Sequence, residues 1–134
     1  MMTNSMSEQA MIDIEKFLNR YRKDTMIRYG SDCIFVTFPF FYTKSDESIM
    51  IKISENEQGL PVFSDCHTTE DYLELRDVEL ADYGERLEKI IRQFGLVHDG
   101  NVFRMTVPSL EETYIELYLG YFIQALSIIA NIDL

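Results

Sequence analysis

The stretch from Tyr114 to Ile129 constrains this chain more than any other. Tyr114, Ile115, Leu117, Tyr118, Leu119, Tyr121, Phe122, Ile123, Leu126, Ile128 and Ile129 surround the axis of any helix drawn through them. A helix that is apolar on every side must be covered on most of its faces. Two arrangements satisfy that demand. Either the helix is central, wrapped by its own sheet and the other helices, or one face meets a second copy of the chain. Tyr114, Tyr118, Tyr121 and Phe122 recur at three- and four-residue steps. They form the aromatic stripe expected at a homodimer interface, with Gly120 admitting a close partner backbone. A bilayer crossing is not expected. The apolar run Leu117 to Ile132 is shorter than the roughly 20 residues required, and Gly120, Gln124, Ser127 and Asn131 interrupt it.

At 134 residues the chain has the size of one domain, expected to span 1–134 with residues 1–6 disordered. Its 46% hydrophobic content and 26% charged content exclude wholesale disorder. Twelve basic against 23 acidic residues give a formal charge of -11, which argues against direct nucleic-acid binding. Cys33 and Cys66 are too few for a disulfide scaffold or a four-ligand zinc site. The first residues lack the basic and apolar regions of a secretory signal, so a cytoplasmic protein is expected.

Periodicity predicts an α+β fold. From Ser7, a candidate N-cap, Met11, Ile14, Phe17, Leu18 and Tyr21 mark an N-terminal helix. Alternation over Ile34 to Tyr42 and Ile49 to Ile53, then the short run Leu60 to Ser64, predicts a three-stranded antiparallel meander, with Pro39 marking a bulge. Thr68 or Thr69 starts a short helix carrying Tyr72, Leu73 and Leu75. A longer helix over Leu80 to Phe94 points Leu87, Ile90, Ile91 and Phe94 inward and closes on Gly95. Asn101 to Val107 adds a later strand after the Asp99-Gly100 turn. Ser109 with Glu112 spells a capping box for the last helix. The expected architecture is a sheet of about four strands, with helices packed on one face and a long apolar C-terminal helix.

From Phe38 to Leu134 the chain resembles the bacterial and phage family DUF1828, a domain of unknown function. The resemblance rests on Phe38-Pro39-Phe40, on Ile49-Met50-Ile51-Lys52-Ile53, and on a strand closing at Ser64-Asp65. Thr68-Thr69 with Asp71 and Leu73 follow, then Phe94-Gly95-Leu96 and Phe122-Ile123-Gln124-Ala125-Leu126. In the family pattern a second Asp and a Gly follow the first Asp in a sharp turn, whereas here Cys66-His67 stands there. The resemblance implies a phage or mobile-element origin, and with it a defence or counter-defence role.

Asp65, Cys66 and His67 are the most reactive-looking cluster, a thiol beside an imidazole. Neighbours on an extended segment point to opposite sides, however, and nucleophile and base normally meet through the fold. The ordinary reading is a turn made by Asp65 with Cys66 half buried. Cys33, Cys66, His67 and His98 lack zinc-knuckle spacing, so no metal and no cofactor is expected. A nuclease core would need an acid two residues before Lys52, where Met50 stands. Between Asp65 and Glu85 there are eight acids against Arg76 alone. Glu70, Asp71, Glu74, Asp77, Glu79 and Asp82 are the candidate binding face for a basic protein partner, or a solvated face that keeps the protein soluble. The expected function is a non-enzymatic interaction domain acting as a homodimer. The alternative is a hydrolase or nuclease-like enzyme using Asp65 and its neighbours.

Overall fold

The computed structural model describes residues 7–8, 26–41 and 48–134. The predicted N-terminal helix starts at Ser7, and beyond Glu8 it lies outside the described residues, as does the segment 1–6. The first described element is a strand. Among the described residues the order is β1 (Met26–Tyr29), β2 (Ile34–Phe41), β3 (Ser48–Glu55), β4 (Pro61–Ser64), α1 (Thr68–Leu75), a 3-10 turn (Leu80–Tyr83), α2 (Gly84–Phe94), β5 (Val97–Asp99), β6 (Val102–Thr106) and α3 (Glu112–Ala130).

The strands form one antiparallel sheet in the order β1-β2-β3-β4-β6-β5. The chain runs through a four-stranded meander and leaves to make α1 and α2. It returns at the far edge as β5 and folds back as β6 beside β4. The expectation of about four strands is thus corrected to six. The two unforeseen strands, β1 and β5, are four and three residues long and occupy the sheet's edges. An edge strand of that length needs no apolar alternation, so periodicity is silent about it. In β2 the register shifts between Thr37 and Phe41, where Pro39 cannot donate to the ladder.

Alternation along the strands sorts the sheet into two faces. Ile34 and Val36, Ile49, Ile51 and Ile53, Phe63, Phe103 and Met105 are all buried on the inner face. They share one core with Tyr72 and Leu73 of α1, Leu87 and Ile90 of α2, and the inner side of α3. Phe122 of α3 sits on Phe63 with ring centroids 5.8 Å apart. Of the three apolar residues that α1 carries, Tyr72 and Leu73 are buried and Leu75, its last residue, is 73% exposed. The helix expected over Leu80 to Phe94 is broken into a 3-10 turn and α2. Gly95 closes α2 at φ +67°, with its amide donating to the Ile91 carbonyl.

The start of α3 differs from the predicted capping box. Ser109 Oγ accepts the Glu111 amide at 3.0 Å, and no side chain caps the helix, because it begins two residues further on. Its C-terminus is held by two arginines. Arg76 donates Nη1 to the Ala130 carbonyl at 2.8 Å and Nη2 to both Asp133 carboxylate oxygens, while Arg86 donates to the Ile132 carbonyl. Guanidinium groups suit this position, since the last carbonyls of a helix lack partners and carry partial negative charge. Arg76 also lies over the Tyr72 ring at 5.4 Å. Replacing Arg76 by Met removes the guanidinium bonds to Asp133 and to the Ala130 carbonyl. An expected loss of about 2 kcal/mol in unfolding free energy, read by urea denaturation, checks this.

Candidate functional site

Strand β4 delivers Asp65 to the inner side of the sheet, in phase with Phe63, and there it is fully buried. Burial of a carboxylate requires donors. Oδ1 accepts the Phe103 amide of β6 at 2.9 Å and the His67 amide at 3.3 Å, and Oδ2 accepts the Thr69 amide at 3.3 Å. The Asp65 backbone amide donates a hydrogen bond to the Phe103 carbonyl at 3.1 Å. Its own carbonyl takes the Thr68 amide and the Thr68 hydroxyl. Thr68 and Thr69 therefore do not cap α1 with their own oxygens. Asp65, two residues before the N-cap His67, performs that task.

The turn is tight. Cys66 at φ +53° and His67 at φ +69°, ψ 0°, with Asp65 carbonyl bonded to the Thr68 amide, make a type I′ turn. Glycine and asparagine adopt such angles most readily, and the left-handed region costs a branched residue roughly 1 kcal/mol or more.

The fold separates the three reactive-looking residues. Asp65 points inward, Cys66 is half buried on the outer side, and His67 is exposed. Burial pushes the Cys66 thiol up, helped by the nearby Asp65 charge and only partly opposed by Ser64 and Lys52, so the unreactive thiol form is favoured. Lys52 and Asp65 lie on opposite faces of the sheet, since Lys52 alternates with buried Ile51 and Ile53. His98 stacks flat on Phe103 at 4.2 Å, and its Nε2 meets Glu70 Oε2 at 3.2 Å. Among the described residues no three His, Cys, Asp or Glu side chains come together as metal ligands.

The acidic residues do gather. Glu74, Asp77, Glu79 and Asp82 line a depression of about 300 Å³ between the end of α1 and the 3-10 turn, with Asp71 exposed on the same helix. Glu70 departs from this group because it faces His98. The aromatic stripe of α3 divides in a different way. Phe122 is fully buried and Tyr118 half buried against Tyr121, whereas Tyr114 and Tyr121 are exposed at 43% and 41%. The exposed apolar row runs instead through Tyr114, Leu117, Tyr121 and Ile128. Leu117 and Ile128 are the residues that sequence reasoning missed. Their spacing from Tyr114 and Tyr121 would have found them once Ile115, Leu119 and Phe122 were assigned to the buried side.

Two outcomes test this local account. Burial raises the Asp65 carboxyl above its usual 3.8, the Phe103, Thr69 and His67 amides and the Thr69 hydroxyl opposing that shift. Between the usual and the raised value the folded protein keeps a proton that the unfolded chain has lost. The stabilisation from this group is therefore full below the usual value and falls as pH rises through the raised one. Urea denaturation across that acid range is expected to show wild type losing stability relative to Asp65→Asn as pH increases. His67→Gly relieves one left-handed residue and is expected to stabilise the fold by about 1 kcal/mol, read as a higher denaturation midpoint.

No protein-family model, curated protein or solved structure matches this chain.

Proposed function

We propose that the protein is an interaction domain that pairs with a second copy through α3 and offers its acidic depression to a basic protein partner. The observation that carries this reading is the exposed row Tyr114, Leu117, Tyr121 and Ile128, at steps of three, four and seven. With Gln124 between the last two, the row follows the alternating three-four spacing of a helix-to-helix seam. Thr113, Gly120 and Ser127 run beside it at seven-residue steps, so two such helices can approach closely, and a Cβ at Gly120 would meet nothing within its own chain. The seam itself is uncharged. A second copy fits this surface better than a charged ligand does.

The helix is also long and apolar enough to cross a membrane by length and composition. Its buried side, with Ile115, Leu119, Phe122, Ala125, Leu126 and Ile129, is already occupied by the protein's own core. The resemblance to DUF1828 supports a phage or mobile-element setting and, through it, a role in defence or counter-defence.

Light scattering on the wild type is expected to give about twice the 15.7 kDa chain mass at micromolar concentrations. Tyr121→Glu is expected to give a folded monomer, since Tyr121 is exposed in the single chain. Two chains of charge -11 repel, so added salt should tighten the pair, while binding of a basic partner should weaken with salt. A wild type that scatters as one chain overturns the pairing.

A further inference from the structure

The outer face of the sheet carries an arrangement that neither the acidic depression nor α3 uses. Strand register places Arg28 opposite Phe35, Phe35 opposite Lys52, Lys52 opposite Ser64, and Ser64 opposite Arg104. Five strands thus contribute one straight row of side chains to a single face. Adjacent strands lie about 4.8 Å apart, so Lys52 and Arg104 stand about 10 Å apart with Ser64 between them. Flexible side chains of that length reach across such a gap to one shared anion.

The middle of this row is concave. A depression of about 360 Å³ is lined by Phe35, Lys52, Ser54, Ser64, His67 and Arg104, among others, and among the described residues no carboxylate lines it. In a chain with 23 acids and 12 bases this is a local reversal of charge. Its volume falls at the lower end of small-molecule sites. Ser64 Oγ accepts the Cys66 amide at 3.2 Å and its hydroxyl meets the Cys66 thiol, so an anion here competes with that sulfur for the Ser64 O–H. Among the described residues the acid paired with these cations is Asp99, 3.2 Å from Arg104 in an exposed contact. An exposed pair of that kind is weak, and a dianion competes for the guanidinium. Phe35, Val62 and Val102 add apolar surface beside the cations, and Arg28 covers the Phe35 ring at 5.6 Å.

We infer that this depression binds a small phosphate-bearing organic anion, its phosphate held by Lys52, Arg104 and Ser64 and its organic part lying against Phe35. Neither cation alone specifies this ligand. The register that brings them to either side of a hydroxyl, in a pocket that no carboxylate among the described residues lines, does.

Amide NMR titration of the full chain tests the inference, with adenosine monophosphate, ribose 5-phosphate, inorganic phosphate and adenosine as probes. Adenosine monophosphate or ribose 5-phosphate is expected to shift the amides of Lys52, Ser64, Cys66 and Arg104. A stronger effect of the nucleotide assigns the organic part to stacking on Phe35, and an equal effect assigns it to the sugar. Lys52→Gln and Arg104→Gln should each weaken binding about tenfold, while Lys89→Gln on exposed α2 should leave it unchanged. Four results overturn the inference: no shift up to about 10 mM of either organic phosphate, inorganic phosphate binding as tightly as both, adenosine binding as tightly as its monophosphate, or a single-stranded oligonucleotide binding more tightly than the mononucleotide. Equal weakening by all three variants overturns it as well, because it reduces the effect to overall charge.

Discussion

One buried carboxylate joins the parts of this protein that sequence distance would leave unconnected. Asp65 ends β4, turns the chain into α1, and accepts the amide of Phe103, 38 residues later. A carboxylate in the interior is costly unless every oxygen is hydrogen-bonded, so this site tolerates little variation in geometry. The turn must close, α1 must start where it does, and β6 must lie beside β4. If β6 were displaced by one residue, its amide would face away and the carboxylate would lose its shortest bond. The left-handed backbone at Cys66 and His67 is the strain that this arrangement imposes on the turn.

The portions of the fold legible in the sequence are those where burial imposes a period. Ile49, Ile51 and Ile53 announce β3, and Leu87 and Ile90 announce the inner side of α2, because each must alternate or recur to reach the core. Gly95 announces the end of α2 because few other residues accept its angles. Strands β1 and β5 were not legible, being short edges that need no apolar code. Ser109 was misread for a related reason: a capping box is a spacing, and the spacing is present although the helix starts two residues late. The row from Arg28 to Arg104 could not be read at all. Its members are spread over 77 residues, and only strand register places them together.

Charge is sorted by layer. The helical side carries the acidic depression, and the two arginines nearest to it, Arg76 and Arg86, are committed to the carbonyls that end α3. Their commitment leaves the acids of α1 and the 3-10 turn with little local compensation. On the opposite side the sheet presents Arg28, Lys52 and Arg104. Among the described residues, a strongly negative chain therefore places an acidic cluster on its helical side and a basic row on the outer face of its sheet, with an apolar core between them. Net charge alone describes neither face.

The place of α3 in the chain gives synthesis a direction. Phe63 needs Phe122 above it, and the helix that carries Phe122 is itself fastened through Asp133. During translation, at about 5–20 residues per second, the sheet's inner face waits roughly 3 to 14 seconds between the making of Phe63 and the making of Ile132. For that interval Ile51, Ile53, Phe63 and later Phe103 form a sticky, half-built surface beside an uncovered strand. A nascent chain in this state is a natural client for a chaperone. Stalling the ribosome before residue 112 should lengthen that dependence more than a stall at any earlier turn.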